Sequence, residues 1–174
     1  MIAQYKSAIW SPSPKFSKRK EKITTIVIHI TDGQPDISKA VKRMQTTTKD
    51  VSAHFMIGRA GELVQLVKIE DVAWHARGAN GKSIGIEHCA RSPGELSKKD
   101  PGLPVTEEQY KVSSELVAWL CKNYDIPIDR EHIQGHCELK DEDGSFLSTH
   151  RDCPNRIWDW DKYMKYVLDN AKIL

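Results

Sequence analysis

The chain has 174 residues, 39% hydrophobic and 29% charged, with a formal net charge of +2. That length suits one domain with a sizeable core; the near balance of charge argues against a nucleic-acid binder, and no run approaches the roughly 18 apolar residues a membrane span needs. The N-terminus, MIAQYKSAIW, has no apolar stretch of signal-peptide length. The chain as given is therefore expected to be cytoplasmic when made, unless a leader was removed, and to be a monomer. Cysteines stand at 89, 121, 137 and 153 without C-x-x-C spacing, which is weak ground for disulfides in a chain of this size. Cys121, inside a helical and partly apolar pattern, reads as a buried free thiol.

Residues 1–22 are rich in Ser, Pro and Lys, and their basic cluster KFSKRKEK is interrupted by Glu21. They read as a solvated arm or lead-in, with a single domain over 23–174. ITTIVIHI (23–30) is β-branched almost throughout and predicts a strand buried on both faces of a central sheet. His29 is then a titratable ring near the C-terminal end of that strand. DISKAVKRMQ (36–45) sets Ile37, Val41 and Met44 at helical spacing. VSAHFMI and ELVQLV, separated by GRAG, predict a hairpin, and KSIGIEHCA (82–90) another strand. The clearest helix is TEEQYKVSSELVAWLCKNY (106–124). Thr106 and Gln109 have the spacing of a capping box, and Leu116, Leu120 and either Val117 or Trp119 supply its buried stripe. HIQGH (132–136) predicts a short strand ending at Gly-His. WDKYMKYVLDNAKIL (160–174) predicts a closing helix with Tyr163, Val167 and Ala171 on one stripe. The mixture predicts an α/β fold, a mixed central β-sheet flanked by helices, without internal repeats or a second core.

Metal-ligand residue types stand at the ends of these elements: His29, His136 and the cluster His150, Asp152 and Cys153. Two histidines plus one cysteine or carboxylate, with a position left open, is the donor set of a catalytic zinc site. Structural zinc sites take four protein ligands, often in local pairs, and that pairing is missing. Alone, His29 reads as a core histidine and His136 as a loop residue; with a Cys-Pro loop downstream they point to a metal. Glu87 is the second signal. Strand alternation puts Ser83, Gly85, Glu87 and Cys89 on one face and Ile84, Ile86 and His88 on the other. A carboxylate there suits a general base or a pair with a basic residue at the sheet surface, and the pattern supports both equally.

The stretches TIVIHIT, VSAHFMIGRAGELVQLV, DVAWHARGANGKSIGIEH, IQGHCEL and HRDCPNRIWDW run in order over about residues 23–160. Together they resemble the type 2 N-acetylmuramoyl-L-alanine amidases, zinc enzymes of peptidoglycan that share a fold with phage lysozyme-like amidases and animal peptidoglycan recognition proteins. The resemblance implies a mixed sheet flanked by helices, with zinc in a groove at one sheet face. It implies that His29, His136 and Cys153 hold the Zn2+, with Asp152 replacing Cys153 if the loop is shifted by one residue and His150 outside the ligand set. It implies Glu87 as the base. Arg151 stands two residues before the third ligand, where relatives often carry Lys or Thr for the oxyanion; Arg is always charged and can donate there. Ala53 stands where some members carry Tyr. Asn155 replaces the glycine of the family's CPG, a change expected to be tolerated because Asn can adopt left-handed backbone. Trp74, His75 and Asn80 are candidates for the substrate groove, with core packing the other reading of Trp74. His54 either orients the site or packs, and His88 and His132 are structural. The implied reaction is hydrolysis of the amide between the lactyl group of N-acetylmuramic acid and L-alanine, in peptidoglycan or a muropeptide. The corresponding roles are a phage or prophage endolysin, a cell-wall amidase or a recycling amidase. The alternative is a recognition protein that binds peptidoglycan without cleaving it; Cys153 and Glu87 both being present favours the enzyme.

Overall fold

The computed structural model describes residues 4–33, 35–150 and 152–174. In chain order the strands are β1 (Ile9–Trp10), β2 (Phe16–Lys18), β3 (Thr25–Ile30), β4 (Phe55–Ile57), β5 (Leu63–Gln65), β6 (Asp71–Ala73), β7 (Ser83–His88) and β8 (Ile133–Gly135). The α-helices are α1 (Ile37–Thr46), α2 (Glu107–Tyr124) and α3 (Trp160–Ala171). Six strands form one mixed sheet in the order β1-β5-β4-β7-β3-β8, and β2 pairs with β6 in a separate ribbon. Strands β8, β3, β7 and β4 run parallel, while β4 and β5 form the antiparallel hairpin. This is the expected α/β architecture, with both faces of the central strands covered, as parallel sheets require.

Alternation along the strands divides the core. On one face Ile26, Ile28, Ile84, Ile86, Phe55 and Ile57 pack against Leu116, Val117 and Leu120 of α2 and Tyr163 and Val167 of α3. On the other, Met56 and Val64 meet Val41 and Met44 of α1, and Val27 meets Ala76, Ala79 and Leu139. The helix ends follow their sequence signals. Asp36 caps α1 by accepting from the backbone of Ser38 and Lys39, and Thr106 and Gln109 close a capping box on α2. Gln109 also donates to the carbonyls of Ile57 and Cys89, which ties the start of α2 to the ends of β4 and β7. Cys121 is buried and free.

The N-terminal segment is bound into the fold rather than only preceding it. β1 extends the large sheet beside β5, β2 pairs with β6, and Tyr5 is buried among the side chains under α2 and α3. Strands of two and three residues carry too few side chains to show a period of two, so composition alone reads them as an arm. Arg19 completes the attachment. Its guanidinium donates to the carbonyls of Ile69, Asp71, Gly81 and Ser83, joining the lead-in to β6 and the start of β7. Arg19→Ala is expected to lower the unfolding free energy by about 2–4 kcal/mol, because several carbonyls lose a charged donor. Urea unfolding measures this, and a loss below about 0.5 kcal/mol, the range of ordinary surface substitutions, would show that the clamp is not needed.

Candidate active site

The site lies at the C-terminal ends of the parallel strands, on the face away from α2 and α3. β3 and β7 pair so that His29 stands opposite Glu87, which puts both side chains on one face of the sheet. On the other flank of β3, Gly135 of β8 pairs with Ile28, and the chain then turns at His136 into a short 3-10 helix. Glu138 fixes that turn by accepting from the Gly135 N–H at 2.6 Å while Arg130 holds the carboxylate. The loop carrying Cys153 closes over it, with the Cys137 N–H donating to the Cys153 carbonyl at 2.8 Å. Gly135 makes this approach possible: a Cβ there would meet Asn155 Oδ1 at 2.7 Å and Pro154 Cδ at 2.8 Å.

These elements bring His29, His136 and Cys153 together, with one ligand atom of each inside 4.8 Å of the others. It is the one such trio of potential ligands among the described residues. Cys153 Sγ lies 3.9 Å from His29 Nδ1 and accepts from the Ile30 N–H at 3.4 Å. Asp152, its neighbour, is exposed and faces Arg156 at 3.7 Å. His150 is exposed, stacking on His136 with ring centroids 6.1 Å apart. Burial, reinforced by neighbouring histidines, pushes His29 well below the usual imidazole pKa. Burial and His150 together lower His136 to about 4, so both rings are neutral and carry lone pairs for a metal. Burial, with Glu87 adding to it, pushes the Cys153 thiol well up, against a smaller pull from the Ile30 N–H. Two neutral imidazoles and one sulfur, with no fourth protein donor in the trio, match the donor set of a three-ligand zinc site.

Glu87 is buried at 9% exposure and its Oε2 takes no hydrogen bond among the described residues. Burial, then the nearby Asp32, raises its pKa to about 8, with Arg43 opposing. A hollow of about 280 Å³ opens beside it, lined by Thr31, Lys39, Arg43, Met44 and Met56. A larger cleft of about 780 Å³ lies on the metal-trio side, lined by Trp74, Asn80, His136, Ser148 and His150. Trp74 is half-buried at the cleft wall, its indole N–H reaching Ser17 Oγ at 3.4 Å. Asn80 also lines the cleft, but its Oδ1 accepts from the backbones of His75 and Ala76 at 2.9 and 2.7 Å, which shapes the loop. His75 is buried at 9% exposure, its Nδ1 lying 3.0 Å from His29 Nε2. That contact has no local signal in the sequence; the Glu138 brace has one, an acidic residue two positions after His136. Arg151 lies outside the described residues.

Three further expectations meet the structure here. His54 is wholly buried, accepting from the Gly85 N–H at 3.0 Å and meeting the Asp71 carbonyl at 3.2 Å. It bridges strands and stands back from the trio. His132 pairs with Asp129 at 2.7 Å in the loop before β8. Asn155 does not adopt left-handed backbone: glycines apart, only Asp32 and Asp125 do so among the described residues. Its side chain instead accepts from Trp160 Nε1 at 2.8 Å and hydrogen-bonds Glu138, so the substitution is accommodated by bonding rather than by conformation.

The profile of the N-acetylmuramoyl-L-alanine amidase family matches residues 19–156. Over 88 residues, 49% of each chain, this chain is 32% identical to N-acetylmuramoyl-L-alanine amidase A of Achromobacter lyticus. Over 118 residues, 67% of this chain and 59% of the relative, it is 31% identical to the 1,6-anhydro-N-acetylmuramyl-L-alanine amidase AmpD of Haemophilus influenzae. The matches thus span about half to three-fifths of these curated relatives. A selenomethionine derivative of AmpD superposes with a TM-score of 0.66 at 24% identity, covering 92% of this chain and 94% of that one. Staphylococcus aureus hydrolase AmiA in complex with its ligand gives 0.73 at 13% identity, covering 94% and 82%. These structures share the fold, and the chain belongs to the type 2 N-acetylmuramoyl-L-alanine amidase family.

The raised pKa of Glu87 makes a stability prediction for the metal-free protein. An ordinary carboxyl titrates near 4.5 and this one near 8, so between those values the folded chain holds a proton that the unfolded chain has released. The contribution of Glu87 to stability therefore falls as pH rises from about 4.5 to about 8, while His29 and His136, lowered by burial, contribute in the opposite sense below the ordinary imidazole value. Glu87→Gln is expected to remove the Glu87 contribution, gaining stability relative to the parent as pH rises toward 8. Urea unfolding of both across this range checks it, and parallel pH profiles would refute it.

Proposed function

We propose that this protein is a zinc-dependent N-acetylmuramoyl-L-alanine amidase. It hydrolyses the amide between the lactyl group of N-acetylmuramic acid and the L-alanine of the stem peptide, as a phage or prophage endolysin or a bacterial cell-wall amidase. The observation that carries this reading is the meeting of His29, His136 and Cys153 within 4.8 Å, on the sheet face that also carries Glu87. His29, His136 and Cys153 would hold the zinc. When bound, zinc supplies Lewis acidity, polarising the substrate carbonyl and making water easier to deprotonate.

The remaining work falls to this chain's own residues. Glu87 takes a proton from the attacking water at its carboxylate and delivers it to the departing amine of L-alanine. Its Oε2 takes no hydrogen bond among the described residues, which leaves it free to receive that proton. Burial around the site excludes bulk water and strengthens each charge interaction. Arg151 is assigned to the developing oxyanion on the family resemblance alone. Trp74 and the larger cleft receive part of the substrate, with His75 and Asn80 shaping its wall.

The test is mass spectrometry of purified peptidoglycan after incubation with zinc-loaded protein, with Glu87→Ala alongside. Free stem peptides beginning with L-alanine, absent with the variant, are expected. Bound but uncut glycan would replace this reading with a recognition role. Arg151→Ala is expected to reduce kcat about 10²–10³-fold, the usual loss when one oxyanion donor is removed, and Arg151→Lys to retain most of it. Equal rates for all three would remove Arg151 from the mechanism.

A further inference from the structure

His75 sits in the AWHA segment, where the sequence places it in the substrate groove. The structure gives its ring another partner on each side. Nδ1 lies 3.0 Å from His29 Nε2, and Nε2 lies 3.2 Å from Ser83 Oγ. Ser83 in turn donates its hydroxyl proton to the Ala79 carbonyl at 2.7 Å. Ser83 is wholly buried, His29 is 2% exposed and His75 is 9% exposed at the cleft wall.

The shorter of the two Ser83 contacts sets the order of protons along this chain. At 2.7 Å the Ser83 hydroxyl donates to the Ala79 carbonyl, which also accepts from the Lys82 N–H at 3.2 Å, and it offers its oxygen lone pairs to His75 at 3.2 Å. His75 therefore carries its proton on Nε2, and its Nδ1 is an acceptor. His29 must then carry its proton on Nε2 and donate to His75. That leaves the lone pair of His29 on Nδ1, the atom that lies 3.9 Å from Cys153 Sγ. The direction of every bond is fixed from a backbone carbonyl outward to the candidate metal.

The packing around His75 is built for this. A Cβ at Gly85 would stand 2.4 Å from His75 Cγ and 2.5 Å from its Nδ1, so only glycine at that point of β7 admits the ring. The backbone N–H of His75 donates to Asn80 Oδ1 at 2.9 Å, which sets where the ring enters. The ring of His54 closes one side, with centroids 5.7 Å apart.

We propose that His75 is a positioning residue: the relay Ala79–Ser83–His75 fixes the tautomer and orientation of His29 so that Nδ1 is presented to the metal. This rests on the zinc reading above and assigns His75 to the metal's support rather than to substrate contact. Removing such an outer partner of a metal-ligating histidine commonly weakens metal affinity about 10–100-fold.

The experiment has two arms on the full chain. In the first, ¹⁵N-resolved NMR of the metal-free protein reads the protonated nitrogen of each imidazole. Nε2–H on both His29 and His75 is expected, and Nδ1–H on His29 overturns the proposal whether or not zinc binds. In the second, competition with a chelator measures zinc affinity for the parent and for the variants His29→Ala, His75→Ala, His75→Gln and Ser83→Ala. His75→Ala is expected to bind zinc about 10–100-fold more weakly. His75→Gln, whose amide can accept from His29, is expected to recover part of that loss. Ser83→Ala, a smaller change that keeps the fold if His75→Ala does not, is expected to weaken binding and to mix the tautomers of His75 in the NMR arm. Zinc affinity unchanged in His75→Ala and Ser83→Ala, but lost in His29→Ala, overturns the proposal and leaves the zinc site standing. Undiminished zinc affinity in His29→Ala overturns the zinc reading itself.

Discussion

Parallel pairing of β3 with β7, in the register that sets His29 opposite Glu87, is the constraint on which the site depends. A strand turns alternate residues to opposite faces, so a slip of one position would move Glu87 to the face covered by α2 and α3. The register is held from that apolar side. Ile26, Ile28, Ile84 and Ile86 are wholly buried there, and a slip would drive His29 and Glu87 into hydrocarbon. β8 then enters on the free flank of β3, and its end delivers His136 to the same level. The hydrophobic core thus does two jobs, stabilising the fold and aligning polar groups on the face it does not touch.

Those polar groups oppose folding, since a buried carboxyl, thiol and imidazole each lose hydration. The surrounding structure offsets this with hydrogen bonds aimed at the backbone that carries them. His88, on the helix side of β7, meets the His29 carbonyl at 2.8 Å, and its other nitrogen meets Ser113 Oγ of α2 at 2.9 Å. Ser113 continues to the Tyr163 hydroxyl of α3 at 2.7 Å. The ring of Trp158 closes over His88 at 4.7 Å. A single buried network therefore runs from the closing helix, through the sheet, to the backbone of the first candidate ligand. Such a network stays cheap only while all its members are satisfied, which accounts for polar side chains at fully buried positions of α2.

Legibility in the sequence followed how local each determinant is. β3, β7, the hairpin and the capped α2 were readable because period and capping chemistry are written within a few residues. His29, His136 and the 150–153 cluster were individually ambiguous and pointed to a metal only when taken together, and it was the resemblance that singled out Cys153, since separations of 107 and 17 residues carry no spacing rule. The lead-in strands were invisible because pairing with β5 and β6 is decided by those partners and by the Arg19 clamp. His75 lines the cleft, but its second contact was invisible for the same reason. Its contact with His29 spans 46 residues, and nothing in AWHA shows which way the ring will face.

The loop that supplies Cys153 shows how such non-local determinants act together. Asp152 and Cys153 are adjacent potential ligands, yet one is exposed and the other is 6% exposed. The difference comes from where the loop is fastened. The backbone bond from Cys137 to the Cys153 carbonyl holds one side against β8. Beyond Pro154, Asn155 bonds to Trp160 at the start of α3 and to Glu138 beside the His136 turn. The Arg130 guanidinium, 3.3 Å above the Trp160 ring, also pairs with Glu138 at 2.6 Å. The loop is thereby clamped on both sides of the cysteine, with the thiol facing inward and the carboxylate left in solvent. A glycine after Cys-Pro would supply a turn but none of these bonds. In this chain Asn155 couples the Cys153 loop and the His136 turn through one side chain, so the two candidate ligands most distant from β3 are held as a unit.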